Sequence, residues 1–230
     1  MTWEDAIAPG SGWINPRLGI RFDEAGRFLP EAGNTVVCQI IPGSRTETAL
    51  AAFRTALSEL PEAHLFAFTP KESWHMTVFE GVVETRRDPA FWPQGIDPET
   101  ALPATTVAMA QRLEGFVPPP PLRMAVQAAT PFGLSLRGAT AVDEGNARLW
   151  RDRLSDALRL KTPRHAEYAF HTTIAYLKRA PSRDALPVWR ATISDWTRHL
   201  MQDITEVELA PPAFCTFKDM CNFAPLRRLG

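Results

Sequence analysis

Cysteine is scarce in this chain, and the cysteines that are present form no recognisable pattern. The three residues, Cys38, Cys215 and Cys221, are odd in number and show no CxxC spacing. A disulfide framework requires paired cysteines and a zinc cluster requires closely spaced ligands, so the sequence argues against both. We therefore expect a protein of the reducing cytoplasm that holds no metal.

A marked excess of one charge and a long apolar run are also absent. The 25 basic and 26 acidic residues leave a formal net charge of −1 at pH 7. Because a long nucleic-acid groove or an anionic membrane surface needs clustered Lys and Arg, we expect neither as a partner. No stretch approaches the roughly 20 apolar residues of a membrane-spanning helix. Residues 1–12, with Glu4 and Asp5, do not resemble a signal peptide. A small anionic ligand is compatible with this charge balance, since a single phosphate needs only a few local donors.

The length and composition fit one domain, residues 1–230, built from two closely joined lobes. We predict an N-terminal extension over about residues 1–33, in which residues 13–33 are rich in Gly and Pro and wrap the surface. The four prolines at residues 118–121 are incompatible with a helix or a central strand. They predict a stiff connector over about residues 115–121, near the middle of the chain.

A similar order of elements is predicted on either side of this connector. The β-branched residues at 34–41 predict a buried strand. The spacing of Ser44 and Glu47 predicts a helix start, with Leu50, Phe53, Leu57 and Leu60 on its inner side. Further strands are predicted at residues 64–69, 73–83, 122–128, 134–136, 167–177, 204–209 and 214–223. Further helices are predicted at residues 98–114, 143–160 and 183–201, the second of them with Leu149, Leu154 and Leu158 facing inward.

Two short segments, one in each half, carry the same pair of polar residues in an apolar, β-prone context. The first is WHMTV at residues 74–78, with His75 and Thr77, and the second is FHTTI at residues 170–174, with His171 and Thr173. Side chains two residues apart on a strand point to the same face. If the two strands are neighbours, two imidazoles and two hydroxyls surround one pocket. This set suits acid–base chemistry on a phosphate ester and needs no metal.

Strict alternation along both strands assigns the neighbouring residues to faces. It predicts a core face with Trp74, Met76, Val78, Phe170, Ile174 and Tyr176, and a cleft face that adds Phe79 and Ala175 to the motif residues. Tyr168, three residues before His171, is expected to face away from that histidine. We expect no catalytic role for His64, His165 or His199, solvated side chains for Arg86, Arg87 and Arg137, and a packing role for Phe91 and Trp92.

At these residues the chain resembles the two-histidine (2H) phosphoesterase superfamily, and in particular its RNA ligase-like and cyclic phosphodiesterase-like members. That superfamily is defined by two H-x-T/S-x motifs, here HMTV at residues 75–78 and HTTI at residues 171–174. The segments NTVVC, WHMTVFEG and FHTTIAYL, which begin at residues 34, 74 and 170, are similar to an uncharacterised bacterial branch. The resemblance covers about residues 19–226. It implies an α+β, bilobal fold with pseudo-two-fold duplicated antiparallel sheets, helices on the outer faces and a central cleft.

The resemblance also implies an activity and a set of site residues. The superfamily acts without a metal or cofactor on phosphodiester bonds, often 2′,3′-cyclic phosphates or 2′-5′ linkages. His75 and His171 match its catalytic positions, and Thr77 and Thr173 match its substrate-binding positions. We expect a small phosphorylated substrate, either a nucleotide or an RNA end, and favour a monomer. The motifs do not distinguish which histidine is the base, and they do not select one substrate.

Two other functions use the same residues. The first is a non-catalytic nucleotide-binding or phosphate-binding protein, which would be stabilised by nucleotides without turning them over. The second is a metallohydrolase with His75 and His171 as metal ligands. The second hypothesis lacks a carboxylate at a recognised spacing, because H-x-T is neither H-x-x-x-H nor H-x-H.

Overall fold

The structure, a computed structural model, describes residues 3–7 and 12–230. In this part of the chain, α-helices span Trp3–Ile7 (α1), Arg45–Ser58 (α2), Leu102–Arg112 (α3), Ala141–Leu158 (α4) and Leu186–Asp203 (α5). The strands are Gly33–Gln39 (β1), Phe66–Phe68 (β2), His75–Val83 (β3), Met124–Thr130 (β4), Gly133–Gly138 (β5), His171–Thr173 (β6), Ala175–Leu177 (β7), Ala213–Phe217 (β8) and Phe223–Arg228 (β9). The predicted α+β class is confirmed.

The strands form one large and one small antiparallel sheet. Seven strands lie in the order β4-β5-β6-β3-β1-β8-β9, and β2 pairs with β7 in a second sheet. Strands from both halves of the chain therefore share one sheet, in which β3 and β6 are direct neighbours. The pseudo-two-fold duplication of the halves stays a prediction.

The start of the first half follows the sequence closely. Strand β1 is buried along most of its length, and α2 begins after Ser44, whose hydroxyl accepts the Glu47 N–H at 3.1 Å. The Glu47 carboxylate accepts a hydrogen bond from the N–H of Gly43 at 2.8 Å. Its partner is therefore the residue before the cap, and not the cap residue Ser44. The predicted inner residues Leu50, Phe53 and Leu57 are fully buried. Helix capping and apolar spacing together account for this helix.

Four local predictions are wrong, and one of them is the strand predicted at residues 214–223, which is split into β8 and the start of β9. The strand predicted at residues 167–177 is split into β6 and β7, and residues 204–209 contribute only an isolated bridge between Ile40 and Leu209. Leu149 was expected inside, yet it is 37% exposed because the buried face of α4 runs through Ala147, Trp150 and Leu154. Each error concerns how an element packs, which its own residues do not specify.

The main core lies between the sheet and the helices. Helix α4 packs on β3 and β5, and α5 packs on β4. The proline connector is held to this core, since the indole N–H of Trp150 donates to the Pro120 carbonyl at 2.8 Å. The three cysteines are free thiols. Among the described helices, none combines the length and hydrophobicity that crossing a bilayer requires.

Candidate active site

The register of the two motif strands sets the geometry of the site. Met76 of β3 pairs with Thr172 of β6, so the central residues of the two motifs lie opposite each other. Both of these side chains are buried on the core side of the sheet. In the same antiparallel register, each motif histidine stands opposite the threonine of the other motif. The two histidines are diagonal neighbours, with Cα atoms roughly 7–8 Å apart.

The four predicted site residues line one cavity of about 170 Å³ that opens to solvent. The structure thus brings together His75, Thr77, His171 and Thr173, which are almost a hundred positions apart in the chain. The remaining walls come from the N-terminal extension, β1, the distal part of β3 and the turn after it, the segment before β6, β7 and the C-terminal hairpin: Arg17, Arg21, Asn34, Thr35, Glu80, Gly81, Val83, Arg86, Tyr168, Tyr176, Phe217, Met220 and Phe223.

The two imidazoles are held in the same way. Nδ1 of His75 lies 2.6 Å from the Ser73 carbonyl, and Nδ1 of His171 lies 2.9 Å from the Ala169 carbonyl. Because a carbonyl can only accept, each Nδ1 carries a proton and donates it. This assigns Nε2 of each ring as the nitrogen left for chemistry.

The surroundings of the two imidazoles differ. His75 is partly buried, and its ring lies 4.1 Å from the ring of Phe223 between centroids. Burial, helped by the nearby His171 and opposed by the bond to Ser73, lowers the pKa of His75 to about 4. His171 is exposed, with its ring 5.9 Å from that of Tyr168. At neutral pH the His75 imidazole is therefore neutral.

A β-bulge in β3 overturns the prediction that Phe79 faces the cleft. Thr77 pairs with Val37 and Phe79 pairs with Val36, so Val78 is an extra residue on β3. Phe79 consequently turns into the core, and Glu80 takes the position facing the cavity. Arg151, buried on α4, donates to the Val78 carbonyl at 2.7 Å.

A second irregularity, after β6, reverses two further face predictions. The N–H of Ile174 donates to the Phe132 carbonyl at 2.8 Å, where the chain leaves the large sheet to form β7. Past this break Ala175 is buried in the core, although it was expected on the cleft face. Tyr176 was expected in the core, yet it lines the cavity.

Tyr168 also lies where the sequence did not place it. It precedes β6 in a segment without regular secondary structure, so strand alternation does not apply to it. Its ring lies 3.9 Å from the Arg151 guanidinium, and its hydroxyl is hydrogen-bonded to Thr77. Burial raises the pKa of Tyr168, so the phenol is neutral at neutral pH. Tyr168 thus belongs to the cavity wall and contacts a motif residue.

The arginines of the cavity were missed by sequence reasoning. Arg17 and Arg21, from the N-terminal extension, both pair with the buried Glu31, Arg21 through Nε at 2.6 Å. Arg86 was expected to be solvated, but it is partly buried and lines the cavity. No local pattern marks these residues, because Arg17 and Arg21 reach the site only when the extension folds over the sheet, and Arg86 reaches it through the turn after β3. The extension is therefore part of the site and not only a surface wrap.

The other residues expected to lie outside the site do so. None of the other histidines, His64, His165 and His199, lines the cavity, and His165 instead pairs with Asp152 through Nε2 at 2.8 Å. Trp92 is buried in the core, in agreement with its expected packing role, and Arg137 is exposed. Arg87, expected to be solvated, bonds the carbonyls of Pro98 and Thr100. Within the described residues, no three His, Cys, Asp or Glu side chains are grouped as a metal site.

These observations define an α+β protein with two H-x-T motifs facing one cavity of an antiparallel sheet. The family model 2H-phosphodiest, described as a domain of unknown function (DUF1868), matches residues 21–135, which is half of the chain. The chain therefore belongs to this family of the 2H phosphoesterase superfamily. The matched region includes the first motif and ends before the second.

A solved structure is similar to this chain over nearly its whole length. The crystal structure of a conserved protein of unknown function from Agrobacterium tumefaciens is 40% identical in sequence and superposes with a TM-score of 0.92. The alignment covers 94% of each chain. No curated protein matches this chain.

Proposed function

We propose that the protein is a metal-independent phosphodiesterase that hydrolyses a 2′,3′-cyclic or 2′-5′ phosphodiester of a small nucleotide or RNA end. Family membership indicates a phosphodiesterase-type hydrolase. The observation that carries the finer proposal is the Met76–Thr172 pairing, which directs both motifs into one cavity. The two Nδ1–carbonyl bonds leave Nε2 of His75 and of His171 for proton transfer.

In the proposed mechanism the two histidines take different roles because their surroundings differ. Neutral His75 accepts a proton from the water that attacks phosphorus. Protonated His171, at the solvent-exposed side, donates a proton to the ribose oxygen as the bond from phosphorus to that oxygen breaks. The product is a phosphomonoester beside a free hydroxyl. Transfer of the accepted proton from His75 through solvent to His171 restores the starting state.

The threonines stabilise the charge that develops on the phosphate. Thr77 and Thr173 hydroxyls donate to the non-bridging oxygens, whose negative charge grows in the transition state. The hydrogen bond between the Tyr168 hydroxyl and Thr77 fixes the orientation of the threonine side chain beside the phosphate. This makes Tyr168 a positioning residue for Thr77.

The same geometry supports the predicted pseudo-two-fold relation of the motifs. The Met76–Thr172 pair lies at the centre of the two motifs, with a histidine and a threonine on either side. Each histidine donates to the carbonyl two residues earlier, at Ser73 and Ala169. We propose that the motifs are the corresponding parts of two duplicated lobes.

The proposed roles predict an unusually acidic lower limb in the pH profile. Because the base must be neutral and the pKa of His75 is lowered to about 4, kcat/KM should fall only as the pH drops through about 4. The measurement is kcat/KM against pH, with circular dichroism at each pH to confirm folding. A lower limb centred at the ordinary histidine value of about 6.5 would reject His75 as the base.

The proposed function is tested by a substrate screen. Purified protein is incubated with 2′,3′-cyclic nucleotides and 2′-5′-linked dinucleotides, with and without EDTA, alongside the His75→Ala/His171→Ala double variant. We expect turnover by the wild type that EDTA leaves unchanged and that the double variant loses. Thermal stabilisation by nucleotides without turnover would favour a binding protein, and loss of activity in EDTA would favour a metallohydrolase.

A further inference from the structure

The cavity extends well beyond the two motifs, along β3 and toward the N-terminal extension. Glu80, Gly81 and Val83 line it on the side away from His75. On β1 the partners of Thr77 and Val83 are Val37 and Gly33, which are four residues apart, so Thr77 and Val83 lie roughly 13 Å from each other along the sheet. This distal part has no evident role in the proton transfers of the proposed mechanism.

Positive charge is concentrated in this distal part. Arg17, Arg21 and Arg86 line it, and the carboxylates beside them are those of Glu31 and Glu80. Three guanidinium groups with two carboxylates leave a local excess of positive charge inside a partly enclosed space. An anion bound there would reduce the repulsion among the arginines.

Arg86 differs from the other two arginines because no carboxylate of the described residues forms a salt bridge with it. Arg17 and Arg21 are held by Glu31, whereas Arg86 forms no ion pair with any residue in the described part of the chain. Its Nε is buried without a hydrogen-bond partner, and its guanidinium lies 4.2 Å from the Phe91 ring centroid. A buried donor without a partner is costly unless a ligand or water satisfies it. The Phe91 ring covers one face of the Arg86 guanidinium and leaves the N–H groups at its edge available to a ligand.

We propose that Arg86, with Arg17 and Arg21 beside it, forms a second anion subsite that binds a phosphomonoester of the substrate. This inference rests on the proposed function, in which His75 and His171 act on a phosphodiester at the other end of the cavity. A separation on the order of 10 Å between the two ends is one that a nucleoside can bridge. The substrate class is therefore a small nucleotide with a terminal phosphate in addition to the reacting diester.

The test compares two substrates that differ only in the second phosphate. These are adenosine 2′,3′-cyclic phosphate with a 5′-hydroxyl and the same compound with a 5′-phosphate. Each is measured with the wild type, with Arg86→Gln and with Arg183→Gln, a matched control at an exposed arginine that does not line the cavity. Binding of adenosine 2′-phosphate and adenosine 2′,5′-bisphosphate is measured by calorimetry, which does not depend on turnover.

We expect the 5′-phosphate to raise kcat/KM and affinity of the wild type by about 10- to 100-fold, as hydrogen bonds to a charged group would. Arg86→Gln should reduce this preference to within about threefold, and Arg183→Gln should leave it unchanged. Equal values for the two ligands in the wild type, or a full preference retained by Arg86→Gln, would overturn the subsite. If neither cyclic compound is hydrolysed but the bisphosphate binds more tightly through Arg86, the subsite stands and the hydrolase proposal fails.

Discussion

Replacing His75 or His171 with alanine is expected to lower kcat/KM for a 2′,3′-cyclic nucleotide by about 10²–10⁴-fold, the usual contribution of one acid–base group. Each change removes an imidazole whose Nε2 is directed by a bond from Nδ1 to a backbone carbonyl. The double variant should lose much less than the product of the two single losses, because the two groups act in one transition state. Steady-state kinetics on the three variants measures these losses.

The matched control for these variants is His199→Ala, at an exposed histidine on α5 outside the cavity. It should retain the wild-type rate. Thermal unfolding should show that both motif variants stay folded, because neither imidazole is part of the helix-covered core. A motif variant that keeps nearly the full rate would rule out two-histidine catalysis in this cavity.

Replacing Gly133 with alanine is expected to destabilise the protein by about 3 kcal/mol, through backbone strain and overpacking. Gly133 has a φ of +144°, and a Cβ there would lie 2.0 Å from the backbone carbonyl oxygen of Thr172. Gly133 also pairs with Thr173, so relief of the clash would displace β6. We therefore expect a loss of activity together with the loss of stability.

The same substitution at Gly145 serves as the control, with the opposite sign. Gly145 is exposed in α4, and a Cβ there meets nothing within 4 Å. Alanine is the better helix former, so Gly145→Ala should stabilise by about 0.5–1 kcal/mol. Urea unfolding gives both free energies. Equal changes in the free energy of unfolding for Gly133→Ala and Gly145→Ala would show that the β5–β6 contact does not constrain Gly133.

The features that the sequence predicted correctly depend on short-range geometry. The cap at Ser44 and the buried spacing of Leu50, Phe53 and Leu57 follow from contacts within one helix. The shared face of His75 and Thr77 follows from the two-residue period of a strand, and the same holds for His171 and Thr173. The α+β class and the placement of each histidine–threonine pair on one face of its strand could be anticipated for that reason.

The errors occur where a residue distant in sequence changes the local rule. Phe79 leaves the cavity because β3 carries an extra residue at Val78, whose carbonyl bonds to Arg151 on α4. Tyr176 enters the cavity because the chain leaves the large sheet after β6. Alternation of faces is a property of an unbroken strand, and it fails wherever a bulge or a break shifts the count by one.

Residue spacing within a strand determines which side chains share a face. The sequences of the two motif strands specify nothing further about the site. The pairing of Met76 with Thr172, the approach of Arg17, Arg21 and Arg86, and the contact of Tyr168 with Thr77 arise only when distant segments pack. The physical reason is that strand register, burial and charge neighbourhoods are interactions between segments. The lowered pKa of His75 and the positive charge at the distal end of the cavity are therefore properties of the folded protein alone.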